Sequence, residues 1–271
     1  MARTTSSTAL DARLEARAAR KTSGGMTVYD LLDRQRPQIE KALPNVGLTA
    51  ERLTRVLQTQ IRLNDRLGEC SPASLLGAVM LTAQLGLEPG PLGQAYFVPY
   101  YNSKAERYEC QFILGYKGMI ALAWRSGQIV ISAYTICTND LFEFDYGSGY
   151  VKHTYKISQQ RGETTGFWAK AVMPNGSTAV LVMTRAEVDA HRKRSAAKDS
   201  GPWVTDYDAM GKKTVIRVLC SQIPLNAEAQ QAIAADETAV VFDGDEGVIE
   251  VSEAPVIDVE PEPEPEVGAD G

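Results

Sequence analysis

The stretch "QFILGYKGMIALAWRSG", residues 111–127, opens like a strand and then turns into a helix that carries few charges. Gly115 and Gly118 bracket Tyr116 and Lys117 where the change occurs. Three readings fit a ring and a lysine at such a junction: a phosphate-binding loop, a packing constraint, or a nucleic-acid contact. The choice among them depends on the sequence around it.

Immediately upstream, "GQAYFVPYY" and "RYECQFIL" flank the turn-like "NSKAE" and predict a hairpin with Lys104 and Arg107 at its tip. Downstream, "QIVISAYTIC" reads as a strand, and "DLFEFDYGSGYVKHTYKI" as two short strands around a Gly-rich turn. "GFWAKAVM" and "STAVLVMT" flank Pro174-Asn175-Gly176, whose Asn-Gly step is a strong hairpin signal. The helices stand on either side of this centre. "DLLDRQRPQIEKALP" is a short one ended by Pro44, and Thr49 caps a second with Leu53, Val56, Leu57, Ile61 and Leu63 on its apolar stripe. A third starts at Ser71-Pro72, ends at Gly86 and has no charge between them, which predicts burial on most sides. Thr184 caps the charged "RAEVDAHRKRSAAK", and a final amphipathic helix, "YDAMGKKTVIRVLCSQI", ends at Pro224. Helices and antiparallel hairpins in this order predict an α+β fold, not a doubly wound parallel sheet.

Composition sets the outer limits. The 271 residues are 44% hydrophobic, enough for a core, and no apolar run is long enough to span a bilayer. Arg13, Glu15, Arg17 and Arg20 break up any secretory signal core, so the sequence reads as soluble and cytoplasmic. Cys70, Cys110, Cys137 and Cys220 have no CxxC spacing and read as reduced, packed thiols. The net charge of −6 divides unevenly along the chain. Residues 236–271 hold 13 acidic residues and no Lys or Arg, leaving 28 basic against 21 acidic residues before them, a net of +7. This suggests a mobile basic arm (1–25), a polyanion-binding core (26–234) and a disordered acidic tail (235–271), the last rich in Glu-Pro. Within the tail, "VVFDGDEGVIEV" has enough hydrophobes for a short recognition segment. The tail either competes with a polyanion for the basic body or recruits a partner.

Several chemistries are excluded or weakened. There is no GxxxxGK[ST] loop, and Gly147-Ser148-Gly149 lacks the third glycine and following helix of a dinucleotide site. His153 and His191, the only histidines, lie outside any HExxH or GxSxG context and read as surface residues. Asp140, Glu143 and Asp145 are the one carboxylate set that a metal-dependent nuclease would use, although on a strand only Glu143 and Asp145 share a face. Basic residues do cluster. Lys213 and Arg217 lie four apart beside Lys212, as a row of cations opposite Val215, Val218 and Leu219. His191-Arg192-Lys193-Arg194 precedes them and reads either as a solvated face or as part of the same basic surface. Lys117 and Arg125 align on the helix of the opening stretch, with Tyr116 as either a stacking ring or a core ring.

"GLEPGPLGQAYFVPYY", "QFILGYKGMIALAWRSG", "NDLFEFDYG" and "WVTDYDAMGKKTVIRVL", in this order, resemble the motifs of the RecT family of phage and prophage single-strand annealing proteins. The resemblance spans about residues 30–230. It implies a sheet-and-helix core that binds single-stranded DNA without ATP, assembles into rings or helical filaments, and anneals a complementary strand, staying on the nascent duplex. It implies a 5′–3′ exonuclease partner, contact with the host single-strand-binding protein, and Mg²⁺ as a modulator and not a catalytic cofactor. No residue is then catalytic. Lys117, Arg125, Lys212, Lys213 and Arg217 become the groove residues, with Arg192, Lys193 and Tyr116 beside them. Lys104 and Arg107 serve either DNA or the protomer interface. Gly115 and Gly118 let the strand turn into the helix and let another backbone, DNA's included, come close. A nuclease using the three carboxylates and a coating protein without annealing activity are the rival readings.

Overall fold

The computed structural model describes residues 28–103, 105–195, 198–199, 202–236, 238–242 and 249–252. The basic arm, Lys104 and most of the acidic tail lie outside the described residues. The fold is α+β, with antiparallel sheets and eight α-helices among the described residues. Among them, no helix is long and apolar enough to cross a membrane.

The N-terminal half is built around a buried helix. Helices α1 (Val28–Ala42) and α2 (Ala50–Leu63) pack their apolar stripes inward, α2 capped by Thr49 as its sequence predicts. Helix α3 (Pro72–Gln84) starts at the Ser71 cap and is buried from Ser74 to Ala83. Its end closes on Gly86 at φ +55°, where the Gly86 and Leu87 amides return to the carbonyls of Ala83 and Thr82. That pattern satisfies carbonyls the helix leaves open and needs the left-handed residue in between. Helix α3 packs on α1 and on the hairpin of β1 (Ala95–Asn102) and β2 (Arg107–Leu114), paired from Ala95↔Leu114 to Asn102↔Arg107.

After β2 the chain enters α4 (Tyr116–Gly127) and then β3 (Val130–Cys137). Strands β4 (Leu141–Asp145) and β5 (Tyr150–Thr154) form a separate small hairpin. Strands β6 (Thr164–Val172) and β7 (Thr178–Thr184) pair around the Asn175-Gly176 turn and join β3 in the order β3-β6-β7. Helix α5 (Arg185–Arg192) has the full capping box of Thr184 and Glu187, and it stops short of the basic run's end. A short α6 (Pro202–Thr205) leads to α7 (Tyr207–Cys220), which lies across the β3-β6-β7 sheet and against α4. All four cysteines are buried and free, and burial pushes the Cys70 and Cys220 thiols up to about 12.

Two features go beyond the sequence reading. Asn226 caps an additional helix, α8 (Ala227–Ala234), past Pro224. The structure also runs past residue 234, where the sequence places the end of the core. Asp236 is buried, and the backbone of β8 (Thr238–Phe242) and β9 (Ile249–Ser252) extends the first sheet as β1-β2-β8-β9. Its contact with β2 is short, Gln111↔Ala239 and Phe112↔Thr238.

The glycines of the opening motif have a packing role. A Cβ on Gly115 would stand 2.1 Å from the Gly93 carbonyl oxygen, and one on Gly118 would stand 2.2 Å from that of Gln94. The backbone that approaches them is the chain's own 93–94 segment, not DNA's. Gly118→Ala is therefore expected to cost at least about 1–3 kcal/mol through overpacking, read as a fall in urea midpoint and melting temperature.

Candidate nucleic-acid interface

Helix α7 carries the basic row that the sequence singles out, and the structure divides it. Lys213, expected to face solvent, is only 7% exposed. Its Nζ lies 3.1 Å from Asp236 Oδ2, and Arg217 Nη1 lies 3.2 Å from the same oxygen. The Leu114 amide donates to Asp236 Oδ1 at 2.8 Å. A burial penalty of several kcal/mol per ion makes such a carboxylate the required companion of a buried lysine. Lys213 is thus anchored inside the protein, and the row of open cations is corrected to an ion-paired cluster. Asp236 stands 23 positions downstream of Lys213, so no local spacing on α7 could reveal it.

Beside this cluster a cleft of about 390 Å³ opens along α7. His191, Arg194, Lys213 and Arg217 supply basic groups to its wall, and Trp203, Met210, Val218 and Ile233 supply apolar surface. Among the described residues, no carboxylate lines it. Burial, then the charges of Arg194 and Arg217, hold His191 below its usual range despite Glu187. His191 is therefore neutral at physiological pH and adds positive charge only on acidification. The arginines carry the field of the cleft. Val218, assigned to the core by its position on α7, is half-buried on the cleft wall.

The other candidates separate in the same way. Lys117 is exposed on the first turn of α4, and Lys193 is exposed at the end of α5. Lys212 is half-buried on α7. Tyr116 is half-buried and packs against the hydrophobic core, whereas Trp124 is 54% exposed. Arg125 turns inward, Nη2 donating to the Leu85 carbonyl at 2.6 Å, and burial pulls its pKa down. It closes the end of α3 and does not face a groove. Arg107 is committed to Glu109 through Nε and Nη2, at 3.2 and 3.1 Å. Arg192 donates to the Lys198 carbonyl at 2.6 Å. Lys104 lies outside the described residues. Arg194, quoted in the sequence only as part of a basic run, is the residue that the cleft brings forward.

A family profile described as the RecT family matches residues 51–253. This chain belongs to the RecT family. It is 40% identical over 209 residues to Protein RecT of Escherichia coli K12, covering 74% of this chain and 76% of that protein. It is 31% identical over 242 residues to Uncharacterized protein YqaK of Bacillus subtilis 168, covering 88% and 81%. The family is the group of single-strand annealing proteins of recombination whose motifs the sequence carries, and the match spans the cleft and all three sheets of the described residues.

The structure of this RecT-family chain also places the three carboxylates weighed for a metal site, and they do not converge. Asp145 holds the β4–β5 turn through Gly147 and Ser148, and Glu143 pairs outward with Lys152 at 3.8 Å. The Asp140 side chain is fully buried, with Arg161 Nε at 3.0 Å, Arg161 Nη2 at 2.5 Å and the Cys137 amide at 2.9 Å. His153, read as a surface residue, is the fourth partner. Trp168 Nε1 donates to its Nδ1 at 3.0 Å, which leaves Nε2–H to donate to Asp140 at 2.9 Å. This network pins the β4–β5 hairpin to the β3-β6-β7 sheet. Among the described residues, no group of three His, Cys, Asp or Glu could hold a metal ion.

Two outcomes follow from these ion pairs. Asp236→Ala leaves Lys213 buried without that carboxylate and is expected to cost about 3–5 kcal/mol in urea unfolding, part of it regained on adding Lys213→Met. Arg161's hydrogen bonds, joined by those of His153 and the Cys137 amide, hold Asp140 well below the usual carboxylate range despite its burial. Its stabilisation is then complete above the ordinary value of 3.8 and is lost as pH falls through the depressed one. Asp140→Asn is expected to lower the melting temperature at neutral pH and to shrink the further loss on acidification below about pH 4.

Proposed function

We propose that this chain binds single-stranded DNA and anneals complementary strands in phage-type homologous recombination, without ATP, as an oligomeric ring or helical filament. The observation that carries this reading is the cleft along α7, lined among the described residues by basic groups and by no carboxylate. Cations that meet phosphates hold a strand without reading its bases, which sequence-independent annealing requires. Outside the cleft, Lys212 on α7 is half-buried and Lys117 on α4, a helix that packs against α7, is exposed, and we assign both to the same basic surface. Annealing makes and breaks no covalent bond, so no side chain is assigned a catalytic role and Mg²⁺ acts only on binding or assembly. A ring or filament needs head-to-tail contacts between self-complementary surfaces of each protomer. Its substrate must come from a reaction that strips one strand from a duplex, which fits a 5′–3′ exonuclease partner, and the exposed strand brings the host single-strand-binding protein within reach.

Complementary oligonucleotides mixed with the full chain, without ATP, test the reading directly. Accelerated duplex formation with strands of unchanged length is expected. Binding without acceleration would indicate a coating protein, and shortened strands a nuclease. Arg194→Ala with Lys212→Ala is expected to weaken binding and flatten the slope of log affinity against log salt by about one to two units. A slope equal to that of the parent would remove the cleft from the strand path.

A further inference from the structure

The β3-β6-β7 sheet has two faces, and α7 covers only one of them. Phe167, Ala169 and Ala171 point to that side and are buried. Alternation sends Tyr134, Trp168 and Lys170 to the other, where the register sets Tyr134 opposite Trp168 and Ser132 opposite Lys170. Tyr134 and Trp168 stack with centroids 4.9 Å apart and planes at 25°. The row continues through His153, 6.1 Å from Trp168, to Tyr155, 6.2 Å from His153. The Arg161 guanidinium lies over the Tyr155 ring at 4.2 Å.

The two ends of this row are open, with Tyr134 48% and Tyr155 51% exposed. Its middle is rigid, because Trp168, His153, Asp140 and Arg161 form one hydrogen-bonded chain beneath the rings. Little conformational freedom remains for a ligand to remove from Tyr134, which already rests on Trp168. The charge here is basic. Lys156 is exposed next to Tyr155 and Lys170 lies two residues along β6 from Trp168, and neither has an ion-pair partner among the described residues. The carboxylate beneath the row, Asp140, is fully buried and engaged by Arg161. Ordered aromatic rings with open ends beside these lysines, on the face that α7 leaves free, are what a sequence-tolerant single-strand platform needs.

We propose that this face is a second single-stranded nucleic-acid site, which stacks bases on Tyr134 and Tyr155 and meets phosphates with Lys156 and Lys170. It is separate from the α7 cleft, across the sheet, and does not rest on the cleft's assignment. One protomer would then present surfaces to two strands.

Photo-crosslinking of the full chain to a single strand carrying 5-iodouracil tests the site without any variant. Covalent attachment at Tyr134 or Tyr155 is expected, and attachment confined to other residues overturns the proposal. Tyr134→Ala with Tyr155→Ala is expected to weaken strand binding about tenfold or more at an unchanged melting temperature, as loss of base stacking does. The same loss is expected in the Arg194→Ala, Lys212→Ala background, which keeps this site's failure distinguishable from that of the cleft. Unchanged affinity accompanied by a smaller sedimentation coefficient would overturn it in favour of a contact between copies of this chain.

Discussion

One carboxylate joins parts of this fold that are far apart in sequence. Asp236 accepts the amide of Leu114 at the end of β2, the ammonium of Lys213 and the guanidinium of Arg217 on α7. Strand β2 belongs to the sheet under α3, whereas α7 lies on the sheet of β3, β6 and β7. A buried lysine cannot stay charged without a companion, so the position of α7 and that of the segment entering β8 depend on each other. Lys213 and Arg217 also stand on the wall of the cleft that Arg194 and His191 line.

The basic residues of this RecT-family chain thus fall into two groups according to what surrounds them. Arg125, Arg161, Lys213 and Arg107 are bound to carbonyls or carboxylates and hold the fold together. Lys117, Lys193, Arg194 and Lys212 are exposed, half-buried or on the cleft wall. The distinction is one of desolvation. A cation taken out of water is matched by a partner within the protein, and one left at the surface is available to phosphate. The β3-β6-β7 sheet extends this division across its thickness, with helices on one face and an aromatic row held by the Asp140 network on the other.

Much of the fold was legible in the residues because its signals are local. Thr49, Ser71 and Thr184 cap helices where their side chains predict, Asn175-Gly176 turns a hairpin, and the uncharged run from Pro72 to Gln84 is a buried helix. Family membership was legible for a related reason, since its motifs are contiguous stretches whose order survives in one dimension. Helix α8 was missed despite its Asn226 cap, because Pro224 reads as an end and a helix that short has little periodicity.

The sequence by itself determined most of the element types, the β1–β2, β4–β5 and β6–β7 pairings and the family, each of which depends on neighbours a few positions apart. It also singled out α7 as a helix with a row of basic residues. Only the tertiary structure decided which of its cations are open, because the deciding partner, Asp236, acts across 19 and 23 residues of chain. The same holds for "QFILGYKGMIALAWRSG". Its strand-to-helix change follows from local pattern, but at Gly115 and Gly118 a Cβ would stand only 2.1 and 2.2 Å from the carbonyl oxygens of Gly93 and Gln94. Close packing and the pairing of buried charge are properties of three-dimensional proximity, and one-dimensional spacing does not contain them.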